Sequence, residues 1–225
     1  MATPPVEAVI INCFRPDNVH RILRAITPQV ELTTVLDCSL QGEAWASDRT
    51  VRFTPVNHDL GPWTRYAAAG LYEQEYTLLI DDDLLPQANM VDRFLAHGQQ
   101  YDLVCAAGRM VLPDGSYRPG RAPSGEADIA VRCYLWRTAR LRSVIPVAMS
   151  CFSLEERRHD DDIAMSLCLN QKVFIIHGET PWSELPDPHA LSSKPGHIER
   201  RVAFCRRHWN RLRSNSRRAG PTPNQ

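Results

Sequence analysis

The sequence predicts a single α/β domain: a mainly parallel central sheet flanked by helices and followed by a basic C-terminal helix. Two observations carry this reading. Short apolar runs alternate with helical patterns through the first half, and strands separated by helix-length connections need crossovers, which pair strands in parallel. The chain has 225 residues, 43% of them apolar, which is enough for one ordinary core.

Val6 to Ile11 is the first expected strand, followed by the loop Asn12 to Asn18 and a helix from Val19 to Ile26 that Thr27 and Pro28 close. Glu31 to Leu36 reads as the second strand, ending at Asp37, and Thr50 to Thr54 as the third, stopped by Pro55. Trp63 to Tyr72 is Ala-rich and helical, and Tyr76 to Ile80 is an apolar strand running into Asp81, Asp82 and Asp83. In the second half a helix is expected over Gln87 to His97, short strands over Leu103 to Cys105 and Arg109 to Leu112, and a lid-length loop over Tyr117 to Glu126. Ile129 to Trp136 alternates as a half-buried strand, Asp162 to Leu169 reads as a short helix, and Val173 to Ile176 as a last strand. Thr180 to Pro195 holds four prolines and reads as a loop, leading to a helix over Gly196 to Arg213 and a disordered tail over 214–225. Residues 1–83 form the expected nucleotide-binding half, and 84–213 the acceptor and catalytic half.

Charge is balanced overall, with 26 basic and 26 acidic residues, but unevenly placed. From Lys194 onward one Lys and eight Arg face the single acid Glu199, a net +8, so the first 193 residues carry −8. Such asymmetry suits an acidic catalytic body with a polyanion-facing arm. Seven widely spaced cysteines without a C-x-x-C pair suggest neither a disulfide framework nor a thiolate zinc site. No apolar run approaches the roughly 18 residues of a membrane span, and the first residues lack a secretion signal, so a cytoplasmic chain is expected.

In sheets of this kind ligands sit beyond the carboxyl ends of the strands, where Asn12 to Arg15, Asp37 and Asp81 to Asp83 fall. Continued extended backbone would put Asp81 and Asp83 on one side and Asp82 on the other, offering two hard oxygen donors to a divalent cation. The plain alternative is a solvated acidic turn. The ordered pair of Asn57-His-Asp-Leu-Gly-Pro-Trp-Thr-Arg65 through Tyr76 to Asp83, and Asp160-Asp161-Asp162-Ile163-Ala164-Met165-Ser166, resembles the GT-A nucleotide-sugar glycosyltransferases. The likeness is to family-2-like and exostosin-like members, with their D-x-D and later acidic segment.

That resemblance implies a GT-A (Rossmann-like) domain, a UDP-sugar donor and a Mn2+ or Mg2+ ion. It implies metal contacts from Asp83 and Asp81, with His197 as a further ligand and His177 as its competitor. It implies donor contacts from Asn12, Arg15, Asp37, Arg65, Asp81 and Lys194. A base must take the proton of the acceptor hydroxyl, and Asp162 at a helix N-terminus is suited to that task, with Asp161 orienting the acceptor. The alternative for this run is simple capping of the helix.

The acceptor is read from the last helix, where Arg200, Arg207 and Arg211 recur at spacings of seven and four, with Arg201 beside them. A phosphate backbone suits that stripe, and a hydroxymethylpyrimidine base in DNA would supply the hydroxyl, as in the similar small enzymes of phages. A cell-surface glycan or lipid-linked saccharide is the alternative acceptor. A non-catalytic nucleic-acid-binding module and a D-x-D phosphatase are remoter readings.

Overall fold

A computed structural model describes residues 3–39, 49–58, 60–117, 122–185 and 194–218, with side chains of the last helix described through Asn210. The α/β class is the one expected. Strand β1 (Val6–Asn12) leads through helix α1 (Pro16–Ile26) to β2 (Leu32–Asp37) and then β3 (Val51–Pro55). The chain next crosses to the other side of β1 as β4 (Tyr76–Ile80). These four strands are parallel in the order β3-β2-β1-β4. The order reverses between β1 and β4, so the crevice for a ligand opens beyond their carboxyl ends.

The second half extends the sheet with mixed pairing. Short β5 (Leu84–Pro86) and helix α3 (Met90–Gly98) lead to β6 (Leu103–Arg109), then β7 (Gly125–Ala127) and β8 (Ile129–Arg137). Strand β8 inserts antiparallel between β4 and β6. Helices α4 (Thr138–Cys151), α5 (Leu154–His159) and α6 (Asp161–Leu169) follow, then β9 (Val173–Ile175), β10 (Trp182–Glu184) and helix α7 (His197–Arg218). The eight-stranded order is β3-β2-β1-β4-β8-β6-β9-β7, and β10 pairs with β5 outside it.

Several expected boundaries change. The helix over 63–72 is one turn of α-helix, α2 (Thr64–Ala67), between 3-10 turns at Gly61–Trp63 and Ala69–Leu71, the second of which contains Gly70. The strand expected over 109–112 is the last residue of β6 and a lone bridge between Val111 and Tyr117. The expected lid loop contributes β7 at its end, while its residues 118–121 lie outside the described residues. Helices α4 and α5 stand where no element was expected; Pro146 inside α4 masks its pattern. Residues 214–218, expected to be disordered, continue α7, and 219–225 lie outside the described residues. No helix among the described residues is long and apolar enough to cross a membrane.

Alternation along the buried strands sorts the core into two layers. Val9, Ile11 and Leu79 face α2, α4, α6 and α7, whereas Ala8, Ile10, Leu78 and Ile80 face α1 and α3. A charged residue interrupts the apolar pattern of β1: Glu7 is fully buried. Its carboxylate accepts from the Thr34 hydroxyl at 2.6 Å and the Glu73 amide at 2.8 Å, with Arg52 Nη1 at 4.0 Å. Glu7 thereby ties β1 to β2, β3 and the segment entering β4, and its removal leaves buried donors without an acceptor. Glu7→Ala is expected to lower the stability of the folded state by about 3 kcal/mol, read as a lower urea midpoint at unchanged slope; an unchanged midpoint refutes this role.

Candidate functional site

The loop after β1 is shaped by Asn12, which is fully buried. Its amide nitrogen donates to Asp37 Oδ1 at 2.8 Å, and its oxygen accepts from the Arg15 amide at 3.3 Å. Asn12 therefore serves as an internal brace between the ends of β1 and β2. The loop it braces presents Phe14, 68% exposed, and Arg15 to the crevice before Pro16 starts α1.

Across the crevice, β4 stops at Ile80 and the chain turns at once, with the Leu84 amide donating to the Asp81 carbonyl at 3.1 Å. Strand alternation does not continue into the acidic triplet. Asp81 and Asp82, rather than Asp81 and Asp83, therefore line the cleft. Each faces a guanidinium: Arg65 Nη1 lies 2.7 Å from Asp81 Oδ1, and Arg15 pairs with Asp82. Asp83 instead acts electrostatically on Arg132, and its carbonyl accepts from the Leu185 amide at 2.7 Å.

The third wall comes from Gly61, Pro62 and the end of α5. Gly61 adopts a φ of +59°, and a Cβ there would stand 3.0 Å from the Arg158 carbonyl, so glycine permits α5 to approach this closely. Arg157 stacks on Trp63 at 4.7 Å, whereas Arg158 and His159 line the cleft. With Lys194 the walls enclose about 580 Å³. Four cations, Arg15, Arg65, Arg158 and Lys194, thus surround a space with an exposed aromatic ring at its rim.

The second acidic cluster lies at the start of α6. Asp160, Asp161 and Asp162 are all buried. Both Asp162 oxygens accept from Arg201 Nη2, at 2.8 and 2.6 Å, and Oδ1 also accepts the Ile163 amide at 2.8 Å. Arg201 Nε donates to the Tyr117 hydroxyl at 3.2 Å, and Arg200 Nε lies 3.6 Å from Asp160. Asp161 has a different environment. Burial raises its pKa to about 7, Asp162 adds to the rise, and Arg65 and Arg201 oppose it. Tyr66 and Tyr134, both buried, are also within its electrostatic reach. Arg65 therefore stands between the two acidic clusters, paired with Asp81 and attracted by Asp161.

The expected residues thus separate. Arg15, Arg65, Asp81 and Lys194 meet at the cleft. Asp37 stands beside Asn12 at the strand ends. Arg201, expected on a DNA-facing stripe, is turned inward as the counter-ion of Asp162. Arg207 lies 3.5 Å from Glu156, and the Arg211 side chain lies outside the described residues. His177 packs against His97 and Phe174, at ring distances of 5.9 and 5.5 Å, rather than among the acids. His197 begins α7, with Nδ1 3.4 Å from Arg200 Nη2; burial, then Arg201 and Arg200, lower its pKa. Among the described residues no three His, Cys, Asp or Glu side chains converge as a metal site. With Asp81 and Asp82 each held by a guanidinium, the expected Mn2+ or Mg2+ ligand set does not fit this arrangement. Phe14 and Arg158 were not expected; the position of Phe14 just beyond β1 was the available signal.

No family model matches the sequence, and no curated protein matches it. Solved structures share the fold. Staphylococcus aureus TarS 1-349 in complex with UDP-GlcNAc superposes with a TM-score of 0.59 at 14% identity, covering 97% of this chain and 76% of that one. The 2-C-methyl-D-erythritol 4-phosphate cytidylyltransferase from Thermus thermophilus gives 0.55 at 14% identity, covering 90% and 98%. The bifunctional IspDF from Campylobacter jejuni gives 0.52 at 12%, covering 80% and 52%. The chain therefore has a GT-A-like α/β fold.

If Arg201 is an internal counter-ion, Arg201→Met should leave the buried Asp162 without its cation, while Asp160 keeps Arg200. A loss of about 3 kcal/mol is expected, seen as a fall in Tm of about 6–12 °C. A Tm within about 2 °C of the parent would return Arg201 to the surface-contact role.

Proposed function

We propose that the protein transfers a glycosyl group from a nucleoside diphosphate sugar, a UDP-sugar by preference, to an acceptor hydroxyl. The observation that carries this is the pairing of a cation-lined cleft at the strand-order reversal with a buried carboxylate, Asp161, whose pKa stands at about 7. On this reading the nucleoside lies against Phe14 and Asp37, and the diphosphate is met by Arg15, Arg65, Arg158 and Lys194. The sugar then points toward α6. The fold it shares with TarS, a GT-A-like glycosyltransferase solved with UDP-GlcNAc, supports the reading.

The chemistry follows from the side chains. Asp161, ionised, takes the proton of the acceptor hydroxyl as its oxygen attacks C1 of the sugar. The bond from C1 to the diphosphate oxygen breaks, and the departing negative charge develops against the guanidinium groups. Asp162 is the poorer base because Arg201 occupies both of its oxygens, so the roles expected for the two acids are exchanged in this proposal. An in-line displacement of this kind inverts the anomeric centre. As acceptor we favour a hydroxymethylpyrimidine base in DNA, supported by the +8 charge that follows residue 193.

The likeness to a cytidylyltransferase supports a second reading, transfer of a nucleotidyl group to a sugar phosphate. A phosphate nucleophile is already ionised and needs no base, whereas the raised pKa of Asp161 suits a hydroxyl nucleophile. Incubation with CTP and sugar phosphates, and separately with UDP-sugars and hydroxymethylated DNA, distinguishes them. Pyrophosphate release in the first would displace the glycosyl reading, and UDP release with a mass increase of the nucleoside in the second would support it.

Asp161→Asn is expected to keep UDP-GlcNAc affinity within about twofold by calorimetry while lowering transfer about 100-fold or more. The wild-type kcat/KM should rise with pH through about 7, where Asp161 loses its proton. The folded-state pKa of this acid is raised, so the folded protein binds more protons than the unfolded chain between about pH 4 and 7. Stability from this group falls across that window as pH rises, and Asp161→Asn should raise Tm at about pH 8. Undiminished transfer by the Asn variant would exclude Asp161 as the base.

A further inference from the structure

A second cationic site lies on the β6–β8 side of the buried acids, apart from the cleft walls supplied by β1, β4, α5 and Lys194. In the middle of β8 two consecutive residues, Arg132 and Cys133, adopt left-handed conformations with φ of 57° and 51°. The register against β6 shifts at the same place, between Cys105 and Ala107. Each such residue costs about 1–3 kcal/mol and persists only where its surroundings enforce it. Here the Arg132 amide is satisfied by the Tyr134 hydroxyl at 3.1 Å, and the fully buried Cys133 fixes the kink. Its consequence is the direction of Arg132, whose guanidinium reaches Glu184 at 2.5 Å and feels the charge of Asp83. Glu184 is 71% exposed, so this pair is weak and exchangeable for a stronger anion.

Arg109 ends β6 nearby. Its guanidinium donates to the Gly108 carbonyl at 3.0 Å, and among the described residues no carboxylate forms an ion pair with it. The group is partly buried and lies within electrostatic reach of Tyr117, Arg201, Asp162 and Arg132. Burial and then the repulsion of Arg201 and Arg132 pull its pKa down, against Tyr117 and Asp162. Like charges gathered between Asp162, the neighbour of the proposed base, and Asp83, with one of them lacking a carboxylate partner among the described residues, form a site that an anion would complete.

We propose that Arg109 and Arg132 bind a backbone phosphate of the acceptor strand, beside the hydroxyl that Asp161 deprotonates. The site rests on the glycosyl-transfer reading and assigns its acceptor to the phosphodiester class. It also places acceptor recognition on the β6–β8 part of the sheet, since the inward face of α7 is committed to Asp162.

The test titrates the full chain with a fluorescent oligonucleotide containing 5-hydroxymethyluracil over a range of NaCl concentrations, and separately with UDP-GlcNAc by calorimetry. Arg109→Gln and Arg132→Gln should each weaken oligonucleotide binding by about tenfold. Each should also reduce the slope of log K against log salt by about 0.7–0.9, while Arg109→Lys keeps the slope. UDP-GlcNAc affinity should stay at the wild-type value in all three, which also reports that they are folded. Unchanged oligonucleotide affinity and slope would overturn the proposal, as would a loss confined to UDP-GlcNAc, which would make these arginines donor contacts. Wild type that binds UDP-GlcNAc but not the oligonucleotide would overturn it in favour of an uncharged acceptor. Wild type that binds no UDP-GlcNAc would instead remove the reading on which the site rests.

Discussion

Burying three consecutive carboxylates at the start of α6 is the constraint around which the site is built. Carboxylates in a low-dielectric interior need counter-charge or protons. The chain supplies the first from Arg201, in a helix that begins 35 residues beyond Asp162, and from Arg65, which enters from the other half. Asp161, the acid whose pKa burial lifts to about 7, is the one that exchanges a proton near neutrality. Docking of α7 onto α6 is therefore part of the site. Phe204 and His208 of α7 pack on Phe152 at 5.3 and 4.9 Å, and His208 Nε2 lies 3.0 Å from Glu156. These contacts hold the Arg201 side chain where the acids require it.

The same constraint explains what the sequence made legible. The four parallel strands read clearly because buried runs such as Tyr76 to Ile80 end abruptly in polar or proline residues. The acidic segment at 160–162 followed by an apolar helix was equally plain. The position of Asp83 was not, because a reading by strand alternation assumes that the chain stays extended, and the turn at Asp81 is stabilised by a backbone hydrogen bond with no side-chain signature. Helix α4 was hidden by Pro146. Arg201 was misplaced because charge drew attention to one face of α7. Its burial follows the spacing of Phe204, Cys205, His208 and Trp209, which recur three or four residues apart and continue back to position 201. The kink at Arg132 carries no sequence signal, since neither residue in it is glycine.

In the proposed reaction the two halves of the chain divide the work in a way that their sheet topology permits. The β3-β2-β1-β4 frame fixes the strand ends and hence Phe14, Arg15, Asp81 and Asp82. A frame shared with TarS and with a cytidylyltransferase does not by itself fix a reaction. The second half supplies the buried acids. Strand β8, antiparallel to β4, brings its kink beside the acidic triplet, and α6 sets its acids under Arg65.

Arg65 then links the two parts of the proposed reaction electrostatically. Asp161 is raised by burial, Asp162 and Asp81 and lowered by Arg65 and Arg201, with Tyr66 and Tyr134 beside it. A diphosphate in the cleft brings negative charge to Arg65 and weakens the cation that lowers the Asp161 pKa. Donor binding should therefore make Asp161 more basic, strengthening its pull on the hydroxyl proton while narrowing the pH range in which it is ionised. Departure of the nucleoside diphosphate reverses the effect, and the proton taken from the acceptor is then the more readily lost to solvent. One buried arginine between two acid clusters couples occupancy of the donor cleft to the strength of the base.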